Sequence, residues 1–389
     1  MPCLHTVSIF DKPIKMKFVF CCYLLLISAA STAQPGSETQ NIFIITTDGF
    51  RWQEVFTGAD SELISHPGYV QDTALIKQLY WDSTAEGRRR KLMPFLWNTI
   101  ARQGQLYGNR LYRNKVDVAN LYKISYPGYN EMFTGYPDPV FIPNIPLYNR
   151  NTNIFEYLSS KKEYAGKVAA FSSWNIFSAI LNKKRNKLPV NAGYEDLPDD
   201  SSLNNEIINA SQGLILNKRH TRYDLLTFLG AREYIEHNQP RVVLIGFGET
   251  DEFAHRGRYD LYLEQAANVD RMIAELWYYV QTHSFYRDKT AFIITTDHGR
   301  GRNPAAWYKH GILTKGSGET WFAVIGPGIS PNGEIKSNQQ SYQKQIASTI
   351  ARLLGEDFET GGNHSGPILL PMSVNYNMAI THKQPDGMK

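Results

Sequence analysis

Two short strings, Asp251-Glu-Phe-Ala-His255 and Asp297-His298, each directly follow an apolar run, "VVLIGFGET" and "AFIITT". A strand that stops at an acid and a histidine sets oxygen and nitrogen metal ligands at the carboxyl edge of a sheet, where α/β proteins place their sites. Two such pairs point to two metal ions. A third run, "NIFIITTDGF", ends in Asp48-Gly49, and the glycine lets the chain turn sharply off the sheet edge. Asp48, Asp297 and His298 can therefore converge from two strands. Asp251 and His255, four apart on the first turn after a strand, can share one face, although such a pair alone is more often structural.

A hydroxyl candidate is Ser125 in "LYKISYPGYNEMFTGYPD". The segment reads as an extended "LYKIS", a turn at Pro127-Gly128, a short helix and a stop at Thr134-Gly135. A serine just before a helix N-terminus has free amides and a positive dipole end nearby. That suits a nucleophile receiving a phosphoryl or sulfuryl group, and equally suits an ordinary N-cap. Lys123, Arg51, Arg300 and Arg302 can supply charge, but each reads as readily as a surface cation.

These residues need a sheet to position them. Apolar, β-branched runs end at Asp48, at Gly248 and at Asp297, with further strands in "KVAAFSSW" and "TWFAVIGPG". Between them, "KLMPFLWNTIARQG" (Lys91 to Gly104), "RYDLLTFLGAREYIEHN", "YLEQAANVDRMIAELWYYVQTH" and "YQKQIASTIARLLG" carry helical spacing. Such alternation predicts an α/β fold, a mostly parallel central sheet with helices on both faces. About Thr57 to Arg90 and about Pro137 to Arg222 fit the alternation poorly. The basic runs in them, Arg88 to Lys91 and Asn182 to Lys187, read as solvated loops, and the stretches themselves as a lid or small insertion.

The formal net charge of +4 over 389 residues gives no reason to expect a nucleic-acid partner. At the N-terminus, Lys17, an apolar stretch from Phe18 to about Ala30, and Ser31-Thr32-Ala33 read as an export signal cleaved before Gln34. The stretch is short for a membrane span, so no stable span is expected after cleavage. Met16 is an alternative start. The expected organisation is a signal at 1–33, a linker at 34–40, one α/β domain at 41–370 with an insertion at about 137–222, and a tail at 371–389. All three cysteines fall in the leader, which leaves a mature periplasmic or secreted chain without disulfides, thiolate ligands or a Cys nucleophile.

The order Asp48, Ser125, Asp251-x3-His255, Asp297-His298 resembles the alkaline phosphatase superfamily of two-metal hydrolases. Ser125, Pro127, Thr134 and Gly135 resemble its nucleotide pyrophosphatase/phosphodiesterase branch. The tail, "DHG" then "HG", a strand and "IASTIARLLG", is similar to the metalloenzyme domain shared with cofactor-independent phosphoglycerate mutase. The resemblance implies that Asp48, Asp297 and His298 hold one ion, which binds the nucleophile Ser125, and that Asp251, His255 and a third histidine hold the other. His310 in "WYKHG" matches the mutase-like order, and His364 in "GGNHSGP" the phosphodiesterase order. Asn144 lies near where the phosphodiesterase branch keeps an asparagine, as a donor to the phosphoryl oxygen. Nitrogen-plus-carboxylate ligand sets suit Zn²⁺ best. The implied activity is hydrolysis of a small-molecule phosphate mono- or diester.

The alternatives are a sulfatase, in which Tyr129 would stand where that branch needs an arginine, and a catalytically silent binding protein on the same fold that uses its tyrosines as stacking platforms. Export, and the lack of a large inserted domain, disfavour a mutase.

Overall fold

The computed structural model describes residues 39–198, 202–358, 366–368, 370 and 371. The expected signal, most of the linker, all but the first residue of the C-terminal tail, and His364 lie outside them.

The centre of the molecule is the run "NIFIITT", β1 (Asn41–Thr47), every residue of which is buried. A strand buried on both faces needs parallel neighbours with helices above and below. β1 has these in two later apolar strands, pairing Ile42 with Val242 on one side and Ile42 with Ala291 on the other. In chain order the remaining strands are β2 (Gln105–Tyr107), β3 (Asn114–Asp117), β4 (Val168–Ser172), β5 (Val190–Ala192), β6 (Val242–Phe247), β7 (Thr290–Thr295), β8 (Glu319–Thr320), β9 (Phe322–Ile325), β10 (Gly333–Glu334) and β11 (Gln339–Tyr342). The main sheet has the order β10-β2-β9-β7-β1-β6-β4-β5, and β11-β3-β8 form a small second sheet. The main sheet is parallel from β7 through β5, while β9 runs antiparallel to both β7 and β2. Alternating side chains of the parallel strands feed two apolar clusters, Phe43 and Ile45 with one, Ile42 and Ile44 with the other.

Six helices matter for the site: α1 (Trp52–Thr57), α2 (Ser125–Thr134), α3 (Asp224–Asn238), α4 (Glu249–His255), α5 (Tyr259–Thr282) and α6 (Ile346–Leu353). Among the described residues, no helix is long and apolar enough to cross a membrane.

The architecture is the expected one, with local corrections. The helix expected over Lys91 to Gly104 is broken: one helix ends at Leu92, Met93 turns to φ −131°, and a wider turn begins at Leu96. Pro94 is the cause, since it lacks an amide proton and keeps its predecessor out of helical space. Pro127-Gly128 is not a turn but part of the first turn of α2, where an amide has no intrahelical partner to lose. "LYKIS" is not extended, because Asn120 Oδ1 accepts the amides of Tyr122 and Lys123 and Lys123 adopts φ 56°. The expected strand over "TWFAVIGPG" is split at Trp321 between the two sheets. The stretch 137–222 is not wholly an insertion, for it supplies β4 and β5 to the main sheet. Nor are Arg88 and Arg89 solvated. Arg88 lies over Trp81, and Arg89 lies 3.5 Å above the Trp97 ring and pairs with Glu334.

Candidate active site

Parallel pairing brings the carboxyl ends of β1, β6 and β7 to one edge: Thr47 lies beside Phe247, and Thr46 beside Thr295. Asp48 leaves β1 there, Asp297-His298 leave β7 two residues past its end, and α4 starts just after β6. Gly49, at φ +58°, turns the chain away beneath Arg300; a Cβ at Gly49 would lie 2.8 Å from that guanidinium.

Asp48, Asp297 and His298 form a buried triad whose ligand atoms lie within 4.8 Å of one another, and Asp251, His255 and His310 form a second, more open one. In the first, Gly49 N donates to Asp297 Oδ1, whereas the buried Asp297 Oδ2 has no hydrogen-bond partner. In the second, His255 Nε2 lies 3.1 Å from Asp251 Oδ2 and 3.0 Å from His310 Nε2. The triads abut, with the His298 and His310 rings stacked at 4.0 Å and His298 Nε2 lying 3.9 Å from Asp251 Oδ1.

Both buried imidazoles have Nδ1 facing a carbonyl oxygen, Gly299 at 3.0 Å for His298 and Lys123 at 3.3 Å for His310. With the proton on Nδ1, Nε2 is left with a lone pair directed into the site, the usual arrangement of a metal-binding histidine. The left-handed Lys123 is what aims that carbonyl.

The electrostatics show what the clusters lack. Burial and then Asp48 push the Asp297 carboxyl well above the usual carboxylate range. Burial pulls His298 down, but Asp297 and the bond to Asp48 outweigh it and hold the imidazolium up to about 9. His255 and His310 are pushed down, by burial first and by His298 next, so both are neutral. The buried Asp297 Oδ2 without a donor is unfavourable unless a cation lies beside it, and the His255 and His310 Nε2 atoms, 3.0 Å apart, can share either one proton or a cation. Both donor sets therefore fit divalent metals, and their mixed nitrogen and carboxylate character fits zinc.

Ser125 is the first residue of α2. Its Oγ lies 3.4 Å from Asp48 Oδ1 and 3.3 Å from His298 Nε2. The helix is fixed at several points: buried Glu131 accepts the amides of Ala119, Asn120 and Lys344, and Tyr129 donates to Asp48 Oδ2 at 3.2 Å. Gly135, at φ 71°, ends it. Asn144 Oδ1 accepts the Tyr126 amide at 2.9 Å, and the side chain lines the cleft.

The sequence reading of the four cations is corrected for two of them. Arg300 is fully buried, pairs with Asp251 and bonds the carbonyls of Gly49 and Tyr308. Arg51 is buried against Glu54 and donates to Gly301 O. Arg302 pairs with Glu319 at the surface, and Lys123 contributes its carbonyl. Sequence reasoning missed Trp174, Asn175, His220, Thr221 and Glu252, which line a cleft of about 480 Å³ beside Ser125. Trp174, closing the run "VAAFSSW" at the same sheet edge, was the one available signal.

A mostly parallel sheet with helices on both faces and two Asp/His triads at its carboxyl edge defines an alkaline-phosphatase-like metallohydrolase. The chain matches the Metalloenzyme superfamily over residues 36–356 and belongs to that family. Among solved structures it is similar to the alkaline phosphatase PafA (TM-score 0.57, 11% identity, 86% of this chain and 99% of that one). It is also similar to the lipoteichoic acid synthase LtaP from Listeria monocytogenes (0.54, 12%, 84% and 74%). A putative sulfatase from Bacteroides thetaiotaomicron is a third (0.52, 12%, 83% and 72%). At such identities the likeness concerns the fold. No curated protein matches the sequence.

Proposed function

We propose that the protein is an exported, two-zinc hydrolase of phosphate esters that works through Ser125. The observation that carries this reading is the position of Ser125 Oγ, within 3.4 Å of both Asp48 and His298, at a helix N-terminus and open to a cleft.

Asp48, Asp297 and His298 would hold one ion, and Asp251, His255 and His310 the other. When bound, such ions lower the pKa of a nearby hydroxyl and offset charge on a phosphoryl group. Ser125 gives up its hydroxyl proton to solvent, Oγ forms the new bond to phosphorus as the ester P–O bond breaks, and the departing alkoxide takes a proton from water. Water then attacks phosphorus and the seryl P–O bond breaks. The dipole of α2 favours the anion at its N-terminus. Asn144, its Oδ1 held by the Tyr126 amide, can turn Nδ2 toward a non-bridging oxygen.

Two observations favour this over a sulfatase. Tyr129, at the position where that branch needs an arginine, is buried and bonded to Asp48. The donor sets, each with at least one histidine nitrogen, are also unlike the all-oxygen ligands of a calcium site. A silent binding protein would leave the buried triad uncompensated.

Zinc-loaded protein is to be assayed on p-nitrophenyl phosphate, bis(p-nitrophenyl) phosphate and p-nitrophenyl sulfate. Turnover of a phosphate is expected; turnover of the sulfate alone, or of none, refutes the proposal. Export predicts a mature N-terminus at Gln34, and a secreted protein still beginning at Met1 or Met16 would refute that part.

A further inference from the structure

Resting on the phosphate ester reading, we propose that the cleft selects diesters over monoesters, with Trp174 as the platform for a planar substituent that stays on phosphorus. The cleft beside Ser125 encloses about 480 Å³, a size that takes a whole small molecule and not only a phosphoryl group. Its lining includes the apolar Trp174, Ile176, Ile145 and Pro146. Among its lining residues there is no lysine or arginine; Asp48 and Asp251, which the two ions would occupy, line it together with Glu252 and His220.

Charge decides between the two ester classes. A phosphate monoester carries close to two negative charges at neutral pH, because its second pKa is about 6, whereas a diester carries one. The extra charge of a monoester needs a cation at its terminal oxygens. The two buried arginines near the site cannot supply one: Arg300 is spent on Asp251 and the Gly49 and Tyr308 carbonyls, and Arg51 on Glu54 and Gly301. A diester replaces the uncompensated oxygen with a substituent, for which the apolar lining provides contact.

Trp174 is built to be a rigid wall. Its amide donates to Ser172 Oγ, its backbone bridges Thr221, and its ring meets Phe177 edge-on at 6.4 Å. A ring already fixed in place loses little freedom when a planar group stacks on it.

The test holds the leaving group and charge constant. Bis(p-nitrophenyl) phosphate and methyl p-nitrophenyl phosphate both lose p-nitrophenol and are both monoanions, and they differ in the retained substituent. Zinc-loaded wild type should turn over both with higher kcat/KM than p-nitrophenyl phosphate. Trp174→Ala should lower kcat/KM for the bis-aryl ester by about tenfold and for the methyl ester by under about twofold, with Trp174→Phe restoring most of the loss. Ile145→Ala, at an exposed position in the lining of the same cleft, should give a smaller loss of the same selectivity, which keeps the test open should Trp174→Ala fold poorly. A higher kcat/KM for the monoester overturns the inference but leaves the phosphate ester reading standing. Equal losses on both diesters in the Trp174 and Ile145 variants also overturn it. Hydrolysis of none of the three esters overturns the phosphate ester reading instead, and this inference with it.

Discussion

Gly128→Ala tests whether the nucleophile is positioned by close packing of α2 against the end of β7. A Cβ at Gly128 would lie 2.6 Å from the main-chain oxygen of Asp297 and 3.2 Å from its carbonyl carbon. To reach the 3.4 Å of an ordinary contact the two segments must separate by about 0.8 Å. Asp297 O is backbone, directly preceding His298, and cannot rotate away. Helix propensity alone would make alanine better than glycine by about 1 kcal/mol. Overpacking costs about 1–3 kcal/mol, so the clash wins and the net change in stability is small and unfavourable. The rate should suffer more, because Ser125 lies on the same helix three residues away, and a misplacement near 1 Å can cost about 100-fold. The expected result is a fall in kcat of about 10- to 100-fold with zinc content unchanged. Gly213→Ala is the control, since nothing lies within 4 Å of its Cβ. A Gly128→Ala enzyme with kcat within about twofold of wild type would refute the positioning argument.

Ser125→Ala should abolish turnover and the covalent phospho-enzyme while keeping metal and melting temperature; full activity in this variant removes Ser125 from its role. Asp297→Asn, His298→Ala and His310→Ala should each weaken zinc binding by more than the about 10–100-fold typical of losing a supporting group, measured by competition with a chelator. If His364→Ala drops one ion and His310→Ala does not, the third ligand is His364. In zinc-free protein, the His298 pKa, raised from 6.5 to about 9, contributes stability fully present below pH 6.5 and lost as pH rises toward 9. Asp297, also raised, acts in the same direction at lower pH. Melting temperature should therefore fall with pH in zinc-free protein but not in zinc-loaded protein, whose ligands bind deprotonated; parallel slopes would count against these ligands. Zinc should load in two steps, the tighter at Asp48, Asp297 and His298, and calorimetry showing equivalent sites would contradict this.

The legible parts of the molecule are those in which one segment carries its own pattern. β1, β6 and β7 are buried throughout and carry mostly apolar side chains because both faces are covered, and an acid soon after such a run has few places to be except the sheet edge. Asp251 and His255 are joined by helical spacing in the same way. β5, β8 and β10 have two or three residues each, too short to show any period, and exist because neighbours pair with them. Arg300 stands among "GRGR", and nothing local separates it from Arg302; its burial depends on carbonyls from Gly49 and Tyr308. The cleft wall assembles Ile145, Trp174 and His220 from separate loops, so its character is a property of the fold.

Arg300 also makes the two triads unequal. Among the described residues Asp48 and Asp297 have no arginine in direct contact, although the field of buried Arg300 reaches Asp48, and the positive charge beside them is the His298 imidazolium, held up to about 9 by those same carboxylates. Asp251 is already paired with the Arg300 guanidinium, and the histidines beside it, pushed toward the neutral form, add nothing. A divalent cation entering the first triad meets excess negative charge in a dry environment, where Coulomb attraction is least screened. One entering the second meets a compensated carboxylate and the repulsion of a buried guanidinium. Arg300 thus holds Asp251 in position before a metal arrives, and the same contact weakens that triad's attraction for an ion, so the triad beside Ser125 is expected to fill first.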